Sequence, residues 1–175
     1  SVHPTSSIIV LESDDARMWR PAHRFRVPKR DTRDPHFLAF KDRLFVYTGT
    51  WYCGDSAPEV REFNKQLGYA AVSSDGRTWS KPEKLPATGV WPTPRLMSNG
   101  LLVLAVGRGR PPHYHLWVSP DGRGETWTSR TQVGEGGKGY ASAVEVAPGK
   151  LVYSGYNKQE RALQVWQINV ERTAE

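Results

Sequence analysis

The sequence has 175 residues, a formal net charge of +6 and one cysteine, Cys53. This length supports one domain with a sizeable core, and the single cysteine excludes an intramolecular disulfide and a Cys-based metal motif. No apolar stretch approaches the ~20 residues of a membrane helix, and the first residues lack the features of a signal peptide. Lys and Arg are scattered along the chain, so the charge alone does not indicate a nucleic-acid or membrane partner.

Short strands separated by turns are the predicted elements. Seven Trp and seven Tyr against two Met, with 16 Gly and 13 Pro, favour strands and tight connections over a helical bundle. In chain order, the clearest predicted strands are residues 8–11, 23–27, 36–40, 44–50, 68–72, 95–97, 101–106, 115–118, 142–147, 151–156 and 163–170. With the short strands expected directly after the second and third turn motifs, the strands fall into groups of two, four, four and three.

A short turn motif occurs three times between these strands. It reads SDDARMW from Ser13, SSDGRTW from Ser73 and SPDGRGETW from Ser119. The Asp accepts backbone N–H bonds in the turn, the Gly supplies a positive φ, and the Trp packs one hairpin on its neighbour. The interval from Asp75 to Asp121 fits the ~40–50 residues of a four-stranded blade, and the longer first interval fits a blade with a loop insertion. The motif residues with expected structural roles are Ser13, Asp15, Trp19, Ser73, Asp75, Gly76, Trp79, Ser119, Asp121, Gly122 and Trp127.

These motifs, the hairpin spacing and the phrase RLMSNGLLVLAVGRGRP resemble the sialidase superfamily of Asp-box (BNR-repeat) β-propellers over roughly residues 8–170. The resemblance implies an all-β, sialidase-like propeller fragment of about three four-stranded antiparallel blades. We expect one partial propeller domain over 1–175, with repeats at about 1–30, 31–86, 87–133 and 134–172.

The expected number of blades is too small for the six-bladed ring of sialidases and leaves sheet edges exposed. The chain is therefore expected to be a fragment of a longer protein, with self-association to close the ring as the alternative. A secreted or periplasmic parent protein stays open, because removal of a signal peptide leaves no trace in the sequence.

The resemblance also implies where a site would lie. Sialidases bind the substrate carboxylate with an arginine cluster and use a Tyr nucleophile, aided by a Glu, with an Asp acid/base. By this resemblance Tyr140 is the candidate nucleophile, Glu135 its assistant and Asp34 the acid/base. The candidate substrate-binding residues are Arg33, Arg95, Arg108, Arg110, Trp51 and Trp91.

Structural readings of the same residues stay open. Tyr140 can be a ring that caps a blade edge, Asp34 can begin a turn before Pro35, and the arginines can cover apolar neighbours. The two function hypotheses are a sialidase-like glycoside hydrolase, or part of one, acting on a glycan such as an acidic sugar, and a non-catalytic propeller that binds carbohydrate or protein. Neither requires a cofactor or metal, and the expected partner is a glycan rather than nucleic acid or membrane.

Overall fold

The computed structural model describes residues 3–40, 42–54, 62–86, 90–107 and 113–172. Every regular element among these residues is a β-strand. The strands are β1 (Ile8–Glu12), β2 (Arg20–Phe25), β3 (Arg30–Phe40), β4 (Arg43–Tyr52), β5 (Glu62–Ser73), β6 (Glu83–Lys84), β7 (Val90–Leu96), β8 (Leu102–Gly107), β9 (Tyr114–Ser119), β10 (Ser129–Gly134), β11 (Gly137–Ala147), β12 (Lys150–Asn157) and β13 (Ala162–Asn169).

The strands form four antiparallel sheets in which sequence neighbours pair. These are β1–β2, β3–β4–β5–β6, β7–β8–β9–β10 and β11–β12–β13. The chain divides into two compact units, Ser1–Leu85 with the first two sheets and Pro86–Glu175 with the last two. Short strands joined by tight turns produce such meanders, because each hairpin brings successive strands into register. The all-β prediction is confirmed.

Each unit has its own apolar core between two sheets. In the first unit, Ile8 and Val10 of β1 pack with Val46 and Ala71 of the second sheet and with Trp79 of the turn after β5. The second unit has a larger core with contributions from both of its sheets. Its buried members are Met97, Leu101, Val103, Ala105, Tyr114, Leu116, Ala141, Ala143, Leu151, Tyr153 and Val170. Alternate residues of each strand face this core, so the sheets stack face to face.

The three sequence motifs form turns after β1, β5 and β9, and the motif aspartate sits at the centre of each. In the second turn, Asp75 Oδ1 accepts the backbone N–H groups of Thr78 at 2.6 Å and Arg77 at 2.8 Å, and Ser73 Oγ donates to it at 3.0 Å. These hydrogen bonds, those from the two amides first, hold the pKa of Asp75 well below its usual range. The ionised carboxylate thus replaces the strand ladder as the acceptor for the turn amides.

The tryptophans of the three motifs differ in environment. Trp79 is buried, and its Nε1 donates to the Gly76 carbonyl at 3.0 Å. Trp127 makes the equivalent bond to Gly124 at 2.9 Å. Trp19 is 58% exposed, so the expectation that every motif tryptophan packs a hairpin on a neighbour does not hold for the first copy. In the described part of its unit, the β1–β2 sheet buries only the face that carries Ile8 and Val10.

The first turn motif also contains a strained residue. Ala16 has φ 58°, where the later copies have Gly76 at φ 74° and Gly122 at φ 65°. The left-handed region costs an L-residue roughly 1–2 kcal/mol, partly offset because glycine has more entropy to lose on folding. We expect Ala16→Gly to raise the free energy of unfolding by about 0.5–1 kcal/mol in urea denaturation. Gly76→Ala is the matched control and should lower it; a loss of stability in Ala16→Gly would contradict the prediction.

The first strand of each of the last three sheets is irregular near its start. The pairing register changes between Arg33 and His36 in β3, and between Val90 and Thr93 in β7. At each point two residues face one residue on the neighbouring strand. β11 has a similar shift before Ala141. Such bulges re-aim side chains and are frequent beside functional sites.

Prolines in two of these bulges explain why the strands are longer than the sequence predicts. Pro35 follows Asp34, which has φ 56°, and Pro92 follows Trp91, which has φ 57°. Proline breaks a strand pattern in the sequence, yet an edge strand tolerates it at a bulge. β3 and β7 therefore begin at Arg30 and Val90, five or more residues before the predicted starts at 36 and 95.

Candidate functional site

An open cavity of about 750 Å³ lies in the second unit. It is formed where β11, β12 and the turn before β13 meet a residue of the β7 bulge. The lining residues are Trp91, Gly139, Tyr140, Ala141, Ser142, Ser154, Gly155, Tyr156, Lys158, Arg161 and Leu163. Aromatic surface with a few polar groups is the usual composition of a small-ligand site.

Three aromatic side chains surround the cavity. The Trp91 and Tyr140 rings lie 4.8 Å apart between centroids at an interplanar angle of 48°. Both come from irregular strand starts, because the β7 bulge holds Trp91 and the β11 shift precedes Ala141. Tyr140 is 55% exposed and Tyr156 is also exposed, so their rings can contact a ligand. Flat aromatic faces of this kind suit the apolar face of a sugar ring.

Two cations reach the cavity from the turn between β12 and β13. Lys158 and Arg161 line it, and the turn is fixed by Asn157, whose Oδ1 accepts the backbone N–H groups of Gln159 at 2.9 Å and Glu160 at 3.3 Å. Among the described residues, no Asp or Glu lines the cavity. The local charge is therefore positive and favours an anionic group on a ligand.

Glycines allow the floor of the cavity to approach a buried tyrosine. A Cβ on Gly155 would lie 2.5 Å from Cζ of Tyr114, and a Cβ on Gly139 would lie 3.0 Å from its Oη. That hydroxyl donates to the Tyr156 carbonyl at 2.6 Å. A side chain at 139 or 155 would therefore clash with Tyr114, so glycine at these positions permits this close packing.

The structure brings together two of the predicted site residues of the second unit, Trp91 and Tyr140. Glu135 is exposed between β10 and β11 and does not line the cavity. Arg95 also lies outside it, because β7 begins at Val90 and Arg95 is near the other end of the strand, where its charge acts on Glu145. We therefore leave Glu135 and Arg95 out of this site. Arg108 and Arg110 lie outside the described residues.

The predicted site residues of the first unit have different environments. Trp51 is 8% exposed within β4, so little of its ring is accessible in the described structure. Arg33 forms an ion pair with the buried carboxylate of Asp31. Asp34 occupies the β3 bulge and is half-buried.

A buried polar cluster accompanies the start of β3. Arg30 is buried, its Nε donates to Thr50 Oγ1 at 2.6 Å, and its guanidinium lies 5.8 Å from the centroid of the Tyr52 ring. Burial lowers the pKa of Arg30. Asp31 accepts the backbone N–H of His3 at 3.1 Å, which ties the segment before β1 to β3. These contacts attach the start of β3 to β4 and to the segment before β1.

The sequence placed Tyr156, Lys158 and Arg161 in a loop on the expected site face but did not select them. The signal was their position directly after a predicted strand, together with Asn157 at the start of a turn. No group of three or more metal-ligating side chains is found in the described ranges. The same ranges contain no helix suited to crossing a membrane.

Solved structures of other proteins have a similar fold. Hadza microbial sialidase Hz136 is similar with a TM-score of 0.63 at 20% identity, over 90% of this chain and 37% of that protein. The GH43 protein BlXynB from Bacillus licheniformis has a TM-score of 0.63 at 11% identity, over 95% and 36%. Trypanosoma rangeli sialidase, solved with sialic acid, has a TM-score of 0.56 at 16% identity, over 89% and 30%.

The chain therefore has a sialidase-like β-propeller fold, as predicted, and it is a partial propeller. It spans about a third of the length of these proteins. The fold is also that of glycoside hydrolases outside the sialidases, since a GH43 protein is among the similar structures. No protein-family model and no curated protein match the sequence.

Proposed function

We propose that this chain is the sugar-binding part of a sialidase-like glycoside hydrolase propeller, with an acidic sugar as its ligand. The observation that carries the proposal is the cavity in the second unit, which combines the Trp91–Tyr140 ring pair with Lys158 and Arg161. Sialidases and a GH43 protein are among the proteins of similar fold, and this supports a glycan as the ligand class. Fold alone does not fix activity, so the proposal depends on the cavity.

Each lining group has a role that matches a charged sugar. The rings of Trp91 and Tyr140 take the apolar face of the pyranose, and the hydroxyls of Ser142 and Ser154 serve its hydroxyl groups. Lys158 and Arg161 bind the carboxylate, and charge-assisted hydrogen bonds of this kind are roughly twice as strong as neutral ones. The anionic group then lies towards the turn that follows β12.

Hydrolysis of the sialidase type is the finer proposal. Tyr140 is the candidate nucleophile, and its exposed position on the cavity rim supports this role. Asp34, a residue of the first unit, stays the candidate acid by the family resemblance alone. The non-catalytic alternative is favoured by the cavity lining, which includes no carboxylate among the described residues.

The binding proposal predicts large losses of affinity on removal of the rings. Trp91→Ala and Tyr140→Ala should each weaken binding of N-acetylneuraminic acid or glucuronic acid by about tenfold, since ring stacking contributes roughly 1–2 kcal/mol. Replacing both Lys158 and Arg161 with Gln should weaken binding of these acids but not of glucose. The measurement is titration calorimetry on the full chain. Trp19→Ala is the matched control, because Trp19 is an exposed tryptophan of the other unit.

The same preparations separate binding from catalysis. The hydrolase is supported if the unchanged chain turns over a fluorogenic sialoside and if Tyr140→Phe and Asp34→Asn lose this turnover but still bind the sugar. Binding by the unchanged chain without turnover supports the non-catalytic module. The proposal fails if neither acid binds, or if Trp91→Ala and Tyr140→Ala bind as tightly as the unchanged chain.

A further inference from the structure

A fully buried tyrosine lies directly beneath the cavity without lining it. Tyr114 is the first residue of β9, and its side chain has no exposed surface. Its ring lies against Gly155 and its hydroxyl against Gly139, both of which line the cavity. The hydroxyl donates at 2.6 Å to the carbonyl of Tyr156, a third lining residue. One buried side chain thus contacts β11 and β12 where both border the cavity.

The hydroxyl compensates for a gap in the strand ladder. Between β11 and β12, the paired register passes from Gly137–Asn157 to Ala141–Gly155, so Tyr156 has no paired residue on β11. The Tyr114 hydroxyl supplies the Tyr156 carbonyl with a hydrogen-bond donor at this irregularity. The ring itself is held by packing, since it lies 6.1 Å from the Tyr153 ring and 5.8 Å from the Trp166 ring. The hydroxyl is therefore not needed to fill space.

We propose that Tyr114 is a positioning residue for the sugar cavity, an inference that rests on the proposed function. By holding the Tyr156 carbonyl, it fixes the end of β12 two residues before Lys158, and hence the turn that carries the two cations. It also sets the separation of Gly139 from β12, and Tyr140 follows Gly139 directly. Preorganisation of this kind lowers the entropy that a ligand must remove from its site.

The test compares two buried tyrosines whose hydroxyls donate to different carbonyls. Tyr114→Phe removes the bond to Tyr156, whereas Tyr153→Phe removes bonds to the carbonyls of Val106 and His115, both 3.2 Å long and neither of a cavity residue. Tyr114→Phe should raise amide hydrogen exchange in residues 138–141 and 156–161 of the free protein by about five- to tenfold, as expected for one lost hydrogen bond. It should weaken acidic-sugar binding by a similar factor. Tyr153→Phe should leave both values unchanged, although it also lowers stability.

The outcomes separate this inference from the proposed function. The positioning role is overturned if amide hydrogen exchange in both segments of Tyr114→Phe is as slow as in the unchanged chain. It is also overturned if Tyr153→Phe raises the exchange rates of these segments by the same factor. If the unchanged chain binds an acidic sugar and Tyr114→Phe binds it equally tightly, the positioning role is overturned as well. If the unchanged chain binds no acidic sugar, the proposed function fails, and the exchange comparison alone decides whether Tyr114 shapes the cavity.

Discussion

Replacing Gly155 with alanine should lower the free energy of unfolding by about 3 kcal/mol, at the upper end of the usual cost of overpacking. The new Cβ would lie 2.5 Å from Cζ of Tyr114, and 2.7 Å and 2.8 Å from Cε2 and Cε1. Real Cβ atoms do not approach ring carbons this closely, so something must move. The Tyr114 ring is enclosed by Tyr153 and Trp166 and is fully buried, which leaves it little room.

Urea denaturation of the full chain measures this loss, and two comparisons identify its cause. Ser154→Ala changes the neighbouring residue on the other face of β12 and should alter stability by no more than ~0.5 kcal/mol. In a Tyr114→Leu background, the clash partner is gone, so the additional cost of Gly155→Ala should fall by at least half. Equal costs in the two backgrounds would show that the Tyr114 ring is not the cause.

This contact illustrates what the sequence could not provide. The strands and the three turn motifs were predictable because each depends on residues close together in the chain, such as Ser73 and Asp75 in the second turn. The contact of Gly155 with Tyr114 joins positions about 40 residues apart in the sequence. A glycine in a strand does not indicate which residue packs against it. Local patterns thus specified the hairpins, while the packing between sheets depended on contacts that local patterns do not encode.

The candidate site shows the same division. Tyr140 was selected from a family resemblance and Trp91 from its position near a strand start, and the structure brings their rings together. Arg95 was predicted to open its strand because Pro92 and Pro94 obscured the first half of β7, which begins at Val90. Trp51 was placed in a loop on the expected site face, but it lies within β4, where the exposure of a side chain depends on which sheet covers it. Residue type therefore predicts a site residue less well than the position of that residue in the strand pairing.

Acid destabilisation through His115 is the second large effect. His115 is 4% exposed, and Arg130 donates a guanidinium N–H to its Nε2 at 2.7 Å, which requires a neutral imidazole. Burial first, and then the positive charges of Arg130 and His113, lower the pKa of His115 from 6.5 to about 4. Protonation in the folded state would remove the acceptor and place two cations side by side.

The sign of the pH dependence follows from this lowered pKa. In the unfolded chain His115 takes up a proton near pH 6.5, whereas in the folded chain it remains neutral until about pH 4. The contribution of His115 to stability is therefore complete above pH 6.5 and is lost as the pH falls from 6.5 to 4. A shift of this size corresponds to about 3 kcal/mol at most. Turn carboxylates such as Asp75, whose pKa is lowered, lose their contribution only at more acidic pH.

The measurement is the free energy of unfolding in urea at intervals from pH 7.5 to pH 4.5. His115→Gln keeps an amide oxygen that can accept from Arg130 but does not titrate, so its stability should depend much less on pH over this range. His36→Gln is the necessary comparison, because burial also lowers the pKa of His36 and gives an effect of the same sign. An unchanged pH dependence in His115→Gln would contradict the prediction.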